Sequence, residues 1–155
     1  MSVLTSRLDI NHVVCKAGAS SRKRVLQTIA ENVAASDANA TAADLFDGLL
    51  ERERLGSTGI GEGVAIPHCR HAISDIQVCL LTTEDRVDYD AVDGETVDIF
   101  FALIVPKDEN QAHLRALADL STVLAEPENR KRLRRCETNE TLLKEMTDLL
   151  SGVEA

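Results

Sequence analysis

The residues with the clearest chemical potential lie between Arg52 and Arg70, in the run RERLGSTGIGEGVAIPHCR. Gly59, Gly61 and Gly63 alternate just ahead of a short apolar stretch, and glycine allows positive φ and close backbone approach to a ligand. Ser57 and Thr58 add hydroxyl donors. Pro67 then stiffens the chain immediately before His68, so the imidazole is delivered at a fixed place. A neutral histidine held at a strand end beside a donor-rich loop suits nucleophilic phosphoryl chemistry. The alternative is a turn histidine that satisfies backbone groups. The glycines fit neither a Walker loop, for want of Gly-Lys-Ser/Thr, nor the dinucleotide fingerprint, whose spacing differs.

The elements around this segment follow from periodicity. Ser20 or Ser21 caps a helix whose apolar stripe is Val25, Leu26, Ile29, Ala30 and Val33. Thr41 and Asp44 sit at capping-box spacing ahead of Leu45, Phe46, Leu49 and Leu50, and Gly56 closes that helix. Residues 64–66, 76–82 and 97–105 are aliphatic and β-branched, which predicts strands. The last, VDIFFALIV, is nearly all apolar, so both its faces should be covered by helices. Asp93-Gly94 marks a turn before it. Beyond Pro106 a helix with Leu114, Leu117, Ala118, Ser121 and Leu124 on one face is expected, then one opening at Pro127. A last helix is capped by Thr138 and striped by Leu142, Leu143, Met146, Leu149 and Leu150. Within residues 1–18 the pattern is less decisive: Leu4, Leu8 and Ile10 can begin a short helix, and His12 to Cys15 can form a short strand. The sum is an α/β fold: a mixed β-sheet flanked by helices on both faces, one domain over 1–155.

Whole-chain properties bound the partners. At 155 residues and 44% apolar composition the chain can bury one real core. The net charge of −9 argues against nucleic acid as a main partner and against an anionic membrane surface. No stretch is long enough to span a bilayer. The four cysteines, Cys15, Cys69, Cys79 and Cys136, are scattered, and no secretory signal precedes them, so free thiols in a cytoplasmic location are expected. The basic cluster Arg130, Lys131, Arg132, Arg134 and Arg135 reads as a solvated helix face. His68, Cys69 and His71 have ligand types that suit zinc, but the spacing is cramped for three ligands from one strand end.

The run LGSTGIGEGVAIPHCR closely resembles the active-site segment of phosphotransferase system enzyme IIA domains of the fructose/mannitol type, and especially their nitrogen-regulatory branch. The likeness continues through FDGLLERERLGSTGIG, VDYDAVDGETVDIFFALIVP and QAHLRALADLSTVLAEPENRKRLRRCETNETLL, together about residues 20–150. The resemblance implies that His68 is phosphorylated by a histidine phosphocarrier protein, itself charged from phosphoenolpyruvate by enzyme I. It further implies that His113 is a second active-site histidine that holds the phosphoryl oxygens, and that Arg52 pairs with the phosphate. Ser57 and Thr58 either donate further hydrogen bonds or only shape the loop. No metal and no organic cofactor is implied.

One departure is Cys69, where the family often has Gly. Side-chain alternation along a strand turns it away from the reacting face of His68, which predicts a buried, inert thiol. The chain carries no fused permease or IIB domain, which favours a regulatory protein acting through its phosphorylation state. The alternative is a sugar-specific relay that passes phosphate to a transporter IIB domain.

Overall fold

The structure is a computed structural model that describes residues 3–108 and 111–154. A short helix α1 (Val3–Arg7) leads into strand β1 (Val13–Ala17), then helices α2 (Arg22–Ala34) and α3 (Ala42–Arg54). Three short strands follow, β2 (Gly59–Gly61), β3 (Val64–Ala65) and β4 (His68–His71). Two long ones, β5 (Gln77–Val87) and β6 (Val97–Pro106), complete the sheet, and α4 (Gln111–Ala125), α5 (Pro127–Arg135) and α6 (Asn139–Glu154) close the chain.

The six strands form one mixed sheet. β1 lies parallel to β5, β5 antiparallel to β6, and β3 and β4 run end to end along the far side of β6, both parallel to it. β2 folds back on β3 as a hairpin. Its turn needs positive φ at Glu62 (59°) and Gly63 (81°), the combination that fits the strand twist in a tight hairpin.

The apolar run of β6 divides its side chains between two cores. Ile99, Phe101, Leu103 and Val105 pack with the C-terminal helices; Phe100, Ala102 and Ile104 pack with α2 and α3. Helices therefore cover both faces, as the unbroken apolar run requires. Phe101 has no exposed surface, so Phe101→Ala should lower stability by about 3–5 kcal/mol. Chemical denaturation would show this as a drop in midpoint at unchanged slope; a loss under 1 kcal/mol would mean that the C-terminal helices do not rest on this residue.

Several expectations are corrected in detail. Ser21, not Ser20, caps α2, accepting from the backbone N–H of Arg24. On α4 the sheet-facing residues are Ala116, Leu120, Val123 and Leu124, while Leu114 is 66% exposed. That face, read backwards by a turn, meets His113. The basic cluster is not a solvated face throughout. Arg130 is buried, donating to the carbonyls of Leu124 and Ala125, and Arg134 pairs with Asp98 and donates to the Glu62 carbonyl. These guanidiniums tie α5 to β6 and the β2–β3 hairpin. No helix among the described residues is long and apolar enough to cross a membrane.

Candidate functional site

Pro67 has no N–H to give to the ladder, which interrupts β3 and β4 between Ala65 and His68. The register with β6 is unbroken across the gap: Ala65 faces Phe100 and His68 faces Leu103. The Pro67 carbonyl still accepts from Leu103 at 2.9 Å. His68 is thus the first residue of a resumed strand and is gripped by its neighbours on both sides.

The hydrogen bonds of the ring assign its tautomer. Nδ1 lies 2.8 Å from the Ile66 carbonyl oxygen, which can only accept, so Nδ1 carries the proton. Nε2 receives the Nε–H of Arg52 at 3.2 Å, a group that can only donate, so Nε2 presents its lone pair. Burial pushes the His68 pKa below its ordinary value, the Ile66 bond opposes this, and the Arg52 charge adds to the lowering. The neutral form of the ring is favoured, with the lone pair on Nε2.

Arg52, Leu55, Cys69, Arg70 and His113 line a groove around that nitrogen. Arg52, in the last turn of α3, is oriented by a second bond from Nη1 to the Gly56 carbonyl at 2.8 Å. His113, in the first turn of α4, sets its ring 5.5 Å from that of His68, centroid to centroid, at 54° between planes. Its Nδ1 is buried and has no hydrogen-bond partner among the described residues. Burial first, and then the neighbouring His68 and Arg70, lower its pKa. His68, His113 and Arg52, remote in sequence, therefore meet at one place.

Ser57 and Thr58 do not face the groove. Ser57 Oγ accepts from the Gly59 N–H at 3.0 Å and lies 3.4 Å from the Tyr89 carbonyl, to which it donates. Thr58 is buried, its hydroxyl held by the Glu53 carboxylate. Of the two roles open to this pair, the geometry fits loop shaping. Cys69 is buried, its thiol pushed up to about 12 by desolvation. It packs toward α3, where a Cβ on Gly48 would stand 3.2 Å from its Sγ. Among the described residues no group of three or more His, Cys, Asp or Glu is placed to hold a metal ion. Cys69 and its neighbour His68 alternate across the strand.

The sequence reading missed Glu53, which is 3% exposed beneath the loop. Its carboxylate accepts from Thr58 N–H at 3.0 Å as well as from the Thr58 hydroxyl, and Tyr89 Oη lies 3.3 Å from Thr58 Oγ1. A signal was present: Leu45, Leu49 and Glu53 fall at i, i+4 and i+8, so the charged residue continues the apolar stripe of α3.

A family model described as phosphoenolpyruvate-dependent sugar phosphotransferase system, EIIA 2, matches residues 6–148. The chain is 40% identical over 133 residues to a nitrogen regulatory protein of Pseudomonas aeruginosa, covering 85% of this chain and 86% of that one. Among solved structures it is similar to the nitrogen regulatory protein IIA-Ntr of Neisseria meningitidis, at 32% identity, TM-score 0.88, and coverage of 96% and 99% of the two chains. The mannitol IIA of Escherichia coli shares the fold, with a TM-score of 0.74 at 16% identity over 92% of this chain and 98% of that one.

Proposed function

The chain belongs to the EIIA 2 family of the phosphoenolpyruvate-dependent sugar phosphotransferase system, and from that premise we propose that it accepts a phosphoryl group on Nε2 of His68 and regulates a protein partner through the charge gained. The observation that carries this reading is the pair of bonds on the His68 ring, which leaves Nε2 deprotonated at the mouth of a groove shared with Arg52 and His113.

The donor is a histidine phosphocarrier protein. The phosphorus–nitrogen bond of the donor breaks, a new bond forms to Nε2, and the donor imidazole departs with the electron pair. Nδ1 keeps its proton on the Ile66 carbonyl, which stabilises the positive charge that develops on the ring. Arg52 leaves its resting bond to Nε2 and turns its planar fork to the phosphoryl oxygens. His113 meets the same oxygens from the other side. Little covalent work is left to the protein beyond positioning and charge stabilisation. Leu55, 85% exposed, lines the groove, and Leu114, 66% exposed, follows His113 in sequence; the two offer apolar surface against which a partner docks. A phosphoryl group adds about −1.5 to −2 charges there, enough to make or break such a contact. The similarity to nitrogen regulatory proteins supports a regulatory role in the cytoplasm over a sugar-specific one.

Incubation with enzyme I, the phosphocarrier and phosphoenolpyruvate should add one acid-labile phosphoryl mass to the intact protein; no gain with a competent, matched carrier would overturn the reading. Efficient onward transfer to the cysteine of a fructose or mannitol IIB domain would instead make the chain a sugar relay.

The pH profile follows from the lowered His68 pKa. Only the neutral ring attacks, and the folded ring refuses a proton that a free histidine takes up near 6.5. The acceptor step should decline on acidification with a midpoint below 6.5, in single-turnover quench-flow with a fixed donor. A decline already centred above 6.5 would mean that the ring is not shielded. The same shift has a stability counterpart: the unfolded chain binds this proton first, so its contribution to stability is present above 6.5 and is lost on acidification below it.

A further inference from the structure

We propose that Glu53 is a positioning residue for phosphoryl transfer at His68, its buried carboxylate holding the end of the loop whose backbone orients the nucleophile. The proposal rests on the assignment of His68 as acceptor and adds a residue that touches neither the phosphoryl group nor the His68 ring.

The bracket is built from consecutive bonds. Glu53 holds the backbone N–H and the hydroxyl of Thr58. The Thr58 carbonyl accepts from the Ile66 N–H at 3.0 Å, and the Ile66 carbonyl accepts the Nδ1 proton of His68. On the other branch, which the Glu53 side chain does not touch, Gly56 N–H donates to the main-chain carbonyl of Glu53 at 3.1 Å, and the Gly56 carbonyl accepts from Arg52 Nη1. Gly56 itself has φ of 148°. The loop from Gly56 to Thr58 therefore has one end under Arg52 and the other under His68, with Glu53 at its root.

A carboxylate is an expensive group to place under a loop. Leucine would continue the α3 stripe at this position without that cost, but it would leave the buried Thr58 N–H unpaired. Tyr89, fully buried with its hydroxyl at Thr58, closes the network from below. The Glu53 site is thus built to accept two hydrogen bonds from one residue, and that residue sets the backbone on which the His68 tautomer depends.

The test reads the tautomer and the rate separately. Long-range 15N–1H NMR of the unphosphorylated, labelled protein at pH 8 should show His68 as the Nδ1–H form in wild type. In Glu53→Ala the two tautomers should mix, and single-turnover acceptance should slow about 10–100-fold, the scale of a small misplacement of a reacting group. Glu53→Gln keeps length, accepts from Thr58 N–H and donates to its hydroxyl, so it should restore the tautomer and the rate to within a few-fold. Glu53→Asp keeps the charge but is one methylene short, and should behave like the alanine variant. Wild-type tautomer and rate in Glu53→Ala would overturn the proposal; so would a Gln variant as impaired as the Asp variant. If the alanine variant fails to fold, the Gln and Asp pair decides alone: Gln normal and Asp impaired supports the bracket, and any other pattern overturns it. The NMR arm needs no phosphoryl donor, so a wild type that accepts no phosphate would count against the acceptor assignment and leave the bracket to be judged by the tautomers.

Discussion

His68→Ala is expected to accept no phosphoryl group at all from a charged phosphocarrier, with the native fold intact. The expectation is this absolute because His68 alone is the proposed nucleophile. Nδ1 of His68 is occupied by the Ile66 carbonyl at 2.8 Å, which leaves the lone pair on Nε2. Removing the ring leaves a space at the rim of a groove, not a hole in the core, since His68 is half-buried; stability should change little. The informative competitor is His113. Its ring is 5.5 Å away, centroid to centroid, and lines the same groove, so it is the residue to which the group would stray. Intact mass after incubation with donor decides. An unmodified variant beside a modified wild type fits His68 as acceptor. A phosphoryl mass in His68→Ala that disappears in the His68→Ala, His113→Ala double variant would move the acceptor role to His113.

Much of this geometry was legible in the sequence, and the rest shows what linear patterns carry. The three apolar runs became β3, β5 and β6 because an aliphatic strand buried on both faces announces itself. The caps at Thr41 and Thr138 were readable because a hydroxyl three residues ahead of a free N–H is a local device; Thr41 accepts from Asp44 N–H at 3.2 Å and Thr138 from Thr141 N–H at 3.1 Å. β2 and β4 were not legible. They are short and carry glycine or polar residues, and β4 exists because β6 offers it a partner. The stripe of α4 was right at Leu117 and Leu124 but wrong at Leu114, Ala118 and Ser121, which are exposed. That error concealed how His113 is aimed: it lies three residues before Ala116, on the face that meets the sheet.

The site divides the same way. Gly-rich loop, proline and histidine are adjacent in sequence and were found together, whereas the meeting of His68 with His113 and Arg52 was reached through family resemblance. Glu53 escaped both routes. It is one charged residue in a helix end rich in charge, RER, and only the packing shows that Arg54 is exposed and Arg52 turns to the groove while Glu53 is enclosed. The arginines of α5 escaped for the converse reason: a run of like charges reads as a solvated face until Asp98 and the carbonyls of Leu124, Ala125 and Glu62 are seen to claim two of them.

Arg52→Ala is the other change with a large expected consequence: acceptance at pH 8 should slow about 10²–10³-fold, the effect of removing one charged donor from a site where charge develops, or roughly 3–4 kcal/mol. Protonation cannot explain the loss. Arg52 lowers the His68 pKa, so its removal raises it, but burial is the larger cause and remains; at pH 8 the ring is neutral with or without the arginine. The loss must then come from the oxygens of the phosphoryl group in flight. Arg52→Lys separates charge from shape. A lysine retains the cation but cannot hold the Gly56 carbonyl and Nε2 from one planar group, so it should recover only part of the rate and remain about tenfold below wild type. Single-turnover rates at several ionic strengths would show the deficit of Arg52→Ala persisting at high salt, because a group this close to the reacting atom is poorly screened. If instead the alanine variant accepted phosphate at the wild-type rate, the guanidinium at 3.2 Å from Nε2 would be a resting-state cap on the nucleophile, and the charge in transfer would have to rest on His113 and Arg70.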